Sequence, residues 1–341
     1  MVLSAVLKQF GLDADAVSIE PVTQGLINST WKICAREQQY ILQKINSSVF
    51  KHPEDIDTNI SLIAGYLKQQ HPGYLFTSPV AAGNSKTLVW QNGEAFRLFP
   101  FIKNTHTISS VTTAGQAFEA AKQFAKFTAS LHSFDIALLK VTLPDFHNLS
   151  LRYRQFEAAC ESGNKERIAK AGSLVSALKQ RIDIVEKFEE IKTDPDFKLR
   201  VTHHDSKISN VLFDENDKGL CVIDLDTVMP GYFISDVGDM MRTYLSAANE
   251  EEKDFEKIEV RKDIYHAIIE GYMNEMGNEL TEKEKDYFLY AGLFLTYMQA
   301  LRFLTDYLLD DVYYGAAYNN HNLVRAENQK VLLEKMEQAF L

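Results

Sequence analysis

A single β-rich island lies inside a long helical tract. From about Thr113 onward apolar residues recur at helical spacing, beginning with Ala117, Phe118, Ala121, Phe124, Ala125, Thr128 and Leu131, the stripe that one buried helix face requires. Residues 150–192 continue the pattern, and Thr281-Glu282-Lys283-Glu284 is a capping box that predicts one long helix running towards Asp310. Between them Leu199 to Asp226 breaks the period: two β-rich runs flank a polar loop and then a turn at Glu215-Asn216-Asp217-Lys218-Gly219.

The first hundred residues are of the opposite kind. After a short amphipathic helix they predict strands at Val17 to Val22, Thr30 to Cys34, Gln39 to Ile45, Leu75 to Val80, Lys86 to Trp90 and Ala95 to Phe99. One helix interrupts them near Pro53 to Gln70, with Ile56, Ile60, Ile63, Ala64 and Leu67 on one face and Pro53 at its first position. The plan is α+β: a small β-rich lobe over residues 1–102, then a larger, mainly helical lobe over 103–341. Small ligands tend to bind in the cleft between two such lobes.

Composition narrows the partners. With 45% apolar and 24% charged residues the chain is an ordinary globular one, and its net charge of −11 repels nucleic acid and anionic lipid. Cys34, Cys160 and Cys221 are scattered with no metal-ligand spacing, which reads as a reducing cytosol. No basic, signal-like start is present, and no uncharged apolar run approaches the roughly 18 residues that cross a bilayer. The expected partners are small molecules; oligomeric state is left open.

The polar loop of the island carries the chemistry. His203-His204-Asp205-Ser206-Lys207-Ile208-Ser209-Asn210 contains H-x-D-x-x-x-x-N, and the following apolar run Cys221-Val222-Ile223 ends in Asp224. Phosphoryl transfer needs one carboxylate to take or steer the proton of an attacking hydroxyl, and an amide oxygen with a second carboxylate to hold magnesium on the phosphates. Asp205 is the expected base; Asn210 and Asp224 are the expected metal ligands. Turn hydrogen bonds are the commoner use of Asp and Asn in such a loop, so the specificity comes from the joining of both motifs to an upstream β-rich lobe. His203 and His204, being adjacent, cannot chelate one ion together, and His203 reads as a structural residue of the loop.

These motifs resemble the aminoglycoside phosphotransferase and choline kinase-like superfamily. Further blocks resemble the N-acetylhexosamine 1-kinases: Gln24 to Thr30, Tyr40 to Asn46, Val49 to Lys51, Cys221 to Gly231, Ser235 to Asp239, Phe303 to Leu308 and His321 to Leu323. The resemblance implies a bilobal protein-kinase-like fold with an antiparallel β-rich N-lobe, ATP as co-substrate and Mg2+. The nucleotide would lie between the lobes, against Pro100, Phe101 and Ile102 of the linker and under Gly25, Asn28, Ser29 and Thr30. It also implies that Asp236 braces the catalytic loop. Asp226, sharing the strand face of Asp224, would support the metal or be solvated.

One departure stands out. The strand lysine that pairs with a helix glutamate falls on Gln43, or on Lys44 after a one-residue shift, and the helix offers only Asn59, Glu54 or Asp57. For the acceptor, the resemblance implies that Asp205 meets the anomeric hydroxyl of an N-acetylhexosamine while Arg302 and Tyr313 contact the sugar. A periodic reading makes Leu301, Leu304 and Leu308 a core stripe. The alternatives are a kinase of another small alcohol (an aminoglycoside, choline or a neutral hexose) or a nucleotide-binding protein without catalysis.

Overall fold

In the computed structural model the described residues are 2–22, 27–36 and 38–341. Gln24 and Gly25, expected over the phosphates, lie outside them.

Helix α1 (Val2–Gln9) leads into β1 (Ser18–Val22), β2 (Ser29–Ala35) and β3 (Gln38–Lys44); α2 (Pro53–Gln70) is followed by β4 (Leu88–Gln91) and β5 (Glu94–Pro100). Among the described residues these strands form one antiparallel sheet in the order β1-β2-β3-β5-β4. Side chains alternate across it. Ile33, Leu42, Phe96 and Leu98 pack with Val6 and Leu7 of α1 on the outer face, which turns Gln43 and Arg97, paired across β3 and β5, to the inner one.

The rest is mainly helical: α3 (Ala114–Ser130), α4 (Leu149–Ser162), α5 (Lys165–Lys170), α6 (Gly172–Lys179) and α7 (Ile182–Thr193), then α8 (Phe233–Tyr244), α9 (Lys262–Met276), α10 (Glu282–Lys285), α11 (Phe288–Leu308) and α12 (His321–Phe340). Between α7 and α8 lie two short antiparallel pairs, β6 (Arg200–Thr202) with β9 (Met229–Gly231), and β7 (Val211–Phe213) with β8 (Gly219–Val222). The fold is the α+β, two-lobed arrangement expected. The apolar face of α2, with Ile56, Ile60, Ile63 and Leu67 buried, joins the same core as α3, α8 and α11.

Two expectations fail. Leu75 to Val80 is not a strand: β5 is already flanked by β3 and β4, and beyond the end of β4, among the described residues, only Val80 N–H reaches it, donating to the Leu98 carbonyl at 2.6 Å. The capping box at Thr281 is formed, but it opens only α10, and α11 starts anew at Phe288. Glu284 is drawn fully inside, where its carboxylate accepts from Thr281 N, Lys198 N and Arg200 Nη1 at 2.9, 3.0 and 2.6 Å. That anchor holds the first turn to the β6 approach and separates it from the core-filling helix that follows.

Candidate active site

The loop between β6 and β7 is built around three fixed side chains. Asp236, buried on α8, accepts from His203 N–H (3.1 Å) and His204 N–H (2.7 Å), which stabilises the left-handed backbone of His204 at φ 66°. Burial pushes its carboxyl up to about 7 despite those two donors. His203 is buried against Phe124 and Phe127, and burial lowers its pKa. As the neutral tautomer it donates from Nε2 to the Ile223 carbonyl (2.9 Å) and accepts at Nδ1 from Asp205 N–H (3.4 Å). One ring therefore ties the expected base to the segment carrying Asp224. His204 points the other way, its ring meeting His147. Gly231 lies so close that a Cβ there would stand 2.4 Å from the His204 ring.

Asp205 is half-buried. Its Oδ2 accepts from Asn210 Nδ2 (2.9 Å) and faces Lys207 Nζ at 3.1 Å, while Asn210 Nδ2 also donates to the Asp205 carbonyl (2.8 Å). With its amide hydrogens so engaged, Asn210 has its Oδ1 to offer a cation, and Asp205 has its Oδ1 to meet a hydroxyl. Lys207, which sequence reading did not single out, stands two residues beyond the base; burial opposes its charge, but Asp205 and Asp224 outweigh that and raise its pKa. The D-x-K spacing was the available signal.

Asp224 follows β8 in left-handed conformation, φ 60° and ψ 61°. As a residue Asp224 is exposed, while protein atoms crowd round its carboxylate. Desolvation first, then repulsion from Asp226 and Asp205, pushes its pKa up to about 7. No hydrogen bond reaches its side chain among the described residues. A divalent cation would relieve this crowding, and the donors at hand, amide and carboxylate oxygens, suit Mg2+. Among the described residues no three His, Cys, Asp or Glu side chains form a metal cage. Two protein oxygens completed by phosphate and water is the usual Mg2+ arrangement, so the residues fit.

Asp226 does not share the face of Asp224. Residues 225–227 form a tight 3-10 turn that carries Asp226 inward, where its Oδ1 meets Arg97 Nη2 at 2.5 Å and its Oδ2 accepts from Asn28 Nδ2 at 2.7 Å. Asn28 Oδ1 in turn accepts from Asn46 N–H at 3.0 Å, so this residue ties the entry of β2 to the 225–227 turn. Ser29 opens β2 and Thr30 stands opposite Gln43 in the register. Lys44 turns away to Glu94 (2.8 Å). On α2, Asp57 accepts from the Thr87 hydroxyl (2.6 Å), and Asn59 bonds Lys140 and Val228 (2.8 to 3.0 Å). Arg97 is a second residue missed; a lone arginine within Ala95-Phe96-Arg97-Leu98-Phe99 was its signal. At the linker Pro100 ends β5, Phe101 N–H donates to the Gln39 carbonyl (2.9 Å), and the Ile102 carbonyl accepts from Thr105.

Arg302 and Tyr313 come together, with the guanidinium carbon 5.9 Å from the Tyr313 ring and 5.5 Å from Tyr314. Both line a cavity of about 440 Å³ that also takes in Arg152, Gln155 and Leu309. Tyr313 is 74% exposed. Asp306 positions the segment by accepting from Tyr313 N–H (2.7 Å) and Tyr314 N–H (2.9 Å). Leu301, Leu304 and Leu308 are buried core.

Residues 18–257 match the phosphotransferase enzyme family. Similar solved structures include a microcompartment-associated aminopropanol kinase (17% identity, TM-score 0.67, 99% of this chain and 97% of that one). The amicoumacin kinase hAmiN, in complex with AMP-PNP, Ca2+ and Ami, matches at 15% identity and TM-score 0.64, over 99% and 96%. A choline kinase from Cryptosporidium parvum matches at 14% and 0.57, over 100% and 97%. At these identities the likeness is one of fold.

Proposed function

The chain belongs to the phosphotransferase enzyme family, and on that premise we propose that it transfers the γ-phosphoryl group of ATP to the anomeric hydroxyl of an N-acetylhexosamine, with Mg2+. The observation that carries the reading is the linkage of the three residues: His203 joins the Asp205 amide to the Ile223 carbonyl next to Asp224, and Asn210 bonds Asp205, which supports a proton acceptor beside two oxygens suited to a metal.

Asp205 Oδ1 accepts the proton of the sugar O1 hydroxyl as that oxygen attacks the γ-phosphorus, and ADP leaves in line. Lys207, 3.1 Å from Asp205 Oδ2, stands where its ammonium can meet the oxygens of the phosphoryl group in flight. Asn210 Oδ1 and the Asp224 carboxylate would hold Mg2+, which offsets the charge of the phosphates. At the linker the Phe101 N–H is already committed and Pro100 has none, so the Ile102 amide is the donor available to an adenine edge.

Arg302 and the neighbouring tyrosines supply hydrogen-bond donors and a flat wall, as a sugar ring requires. Choline and aminoglycosides are cationic, and a cavity with both Arg152 and Arg302 in its lining disfavours them; burial and then the Arg302 charge already lower the pKa of Arg152. The test is an ADP-release screen over N-acetylhexosamines, neutral hexoses, aminoglycosides and choline, with the product position assigned by phosphorus NMR. Release with choline or an aminoglycoside and none with sugars overturns the substrate; ATP binding with no release for any alcohol overturns the activity. Under this reading Arg302→Ala weakens sugar kcat/KM by about tenfold, the worth of one charge-assisted hydrogen bond, and spares ATP binding.

A further inference from the structure

The inner face of the sheet holds a cation in an unexpected strand. Gln43 occupies the inward position of β3, and directly across from it on β5 stands Arg97, only 1% exposed. Arg97 Nε and Nη2 donate to Gln43 Oε1 at 3.0 and 2.9 Å, Nη2 reaches Asp226 Oδ1 at 2.5 Å, and the Phe99 ring lies 5.1 Å from the guanidinium carbon. Nη1 is buried without a hydrogen-bond partner among the described residues. Lys44, Asp57 and Asn59 are engaged elsewhere, so among the described residues the carboxylate in direct contact with Arg97 is that of Asp226.

Burying an ion pair of this kind costs several kcal/mol in desolvation and is weak evidence of a stabilising role. Apolar packing would fill the same space more cheaply. What the pair does accomplish is a rigid link from β3 and β5 to the 225–227 turn, one residue past Asp224.

We infer that Arg97 is the positioning residue of the metal site: paired with Asp226 and steadied by Gln43, it replaces a strand-lysine and helix-carboxylate pair and sets Asp224 where the metal and nucleotide phosphates meet. Gln43 is thereby a hydrogen-bond acceptor for Arg97 instead of a phosphate ligand. The inference rests on the phosphotransferase reading above but not on the identity of the acceptor.

The experiment measures ATP binding by calorimetry as a function of Mg2+, with no acceptor present, on the full chain. Arg97→Met should raise the Mg2+ needed for half-maximal ATP binding by about 10- to 100-fold, the usual cost of losing a residue that orients a metal ligand, and change Mg2+-free binding little. Adding Gln43→Lys to Arg97→Met returns an ammonium to the same face opposite Asp226 and should recover most of the Mg2+ response. If Arg97→Met fails to fold, Arg97→Met with Asp226→Asn removes the pair without stranding a buried carboxylate, and the same loss is expected. A folded variant with unchanged Mg2+ dependence, or with equal losses with and without Mg2+, overturns the inference. Absence of Mg2+-dependent ATP binding in the unaltered chain would instead overturn the phosphotransferase reading itself.

Discussion

Asp205→Asn separates proton acceptance from every other role of the loop. In the structure Asp205 Oδ2 faces two donors, Asn210 Nδ2 at 2.9 Å and Lys207 Nζ at 3.1 Å. An asparagine must turn its own oxygen towards them, which points its NH2 at the position where a substrate hydroxyl arrives. That group cannot take a proton. The folding cost is small, because the Lys207 contact is partly exposed and such pairs contribute about 0–1 kcal/mol. Losing a general base costs about 100- to 10,000-fold in rate, or roughly 3–5 kcal/mol of barrier. The assay pairs ADP-release kinetics with thermal melting on the same preparation: kcat should fall at least about 100-fold while Tm stays near that of the unaltered protein. A variant that melts normally and retains nearly full kcat refutes Asp205 as the base; one that loses activity only in proportion to folding refutes the geometric argument.

Three further outcomes follow from the same geometry. Asp224→Ala should raise the Mg2+ requirement sharply with Tm unchanged or higher, since no hydrogen bond reaches the carboxylate among the described residues and burial, then repulsion from Asp226 and Asp205, disfavours its charge; equal losses of stability and activity would make it a structural residue. Asp236→Asn should gain stability relative to the unaltered protein as pH rises from about 4 to about 7, then level off. The native carboxyl, pushed up to about 7, stays protonated over a range in which the unfolded chain has already released its proton, so that range costs the wild type stability; a pH-independent difference in urea unfolding would refute the assignment. Asn59→Leu strands the Lys140 amide and the Lys140 and Val228 carbonyls and should cost about 3 kcal/mol in urea unfolding; a loss under about 1 kcal/mol would show that water replaces these bonds.

The loop proposed as catalytic could be singled out because its information is local. The spacing of His203, Asp205 and Asn210 lies within one turn-rich segment, and short-range geometry alone brings Asn210 Nδ2 to Asp205. The two-lobe plan was legible for a similar reason: near Thr113 the prevailing apolar period passes from that of strands to that of helices, and period selects element type. The long helix expected from Thr281 failed where a distant partner intervened, since Arg200 and the Lys198 amide capture Glu284. Leu75 to Val80 failed because neighbouring strands already flank β5, a matter of sheet order that propensity does not encode.

The sequence by itself determined which residues could do chemistry; the tertiary structure decided which charges face one another. Gln43 and Arg97 are 54 residues apart and Asn28 and Asp226 are 198 apart, and nothing in either local pattern marks them as partners. Their meeting depends on the β3–β5 register and on the turn at Asp224 swinging Asp226 inward. A buried charge must find its counter-charge wherever folding has brought one, so the balancing of Arg97 is a property of the assembled sheet and loop, and only the folded chain specifies it.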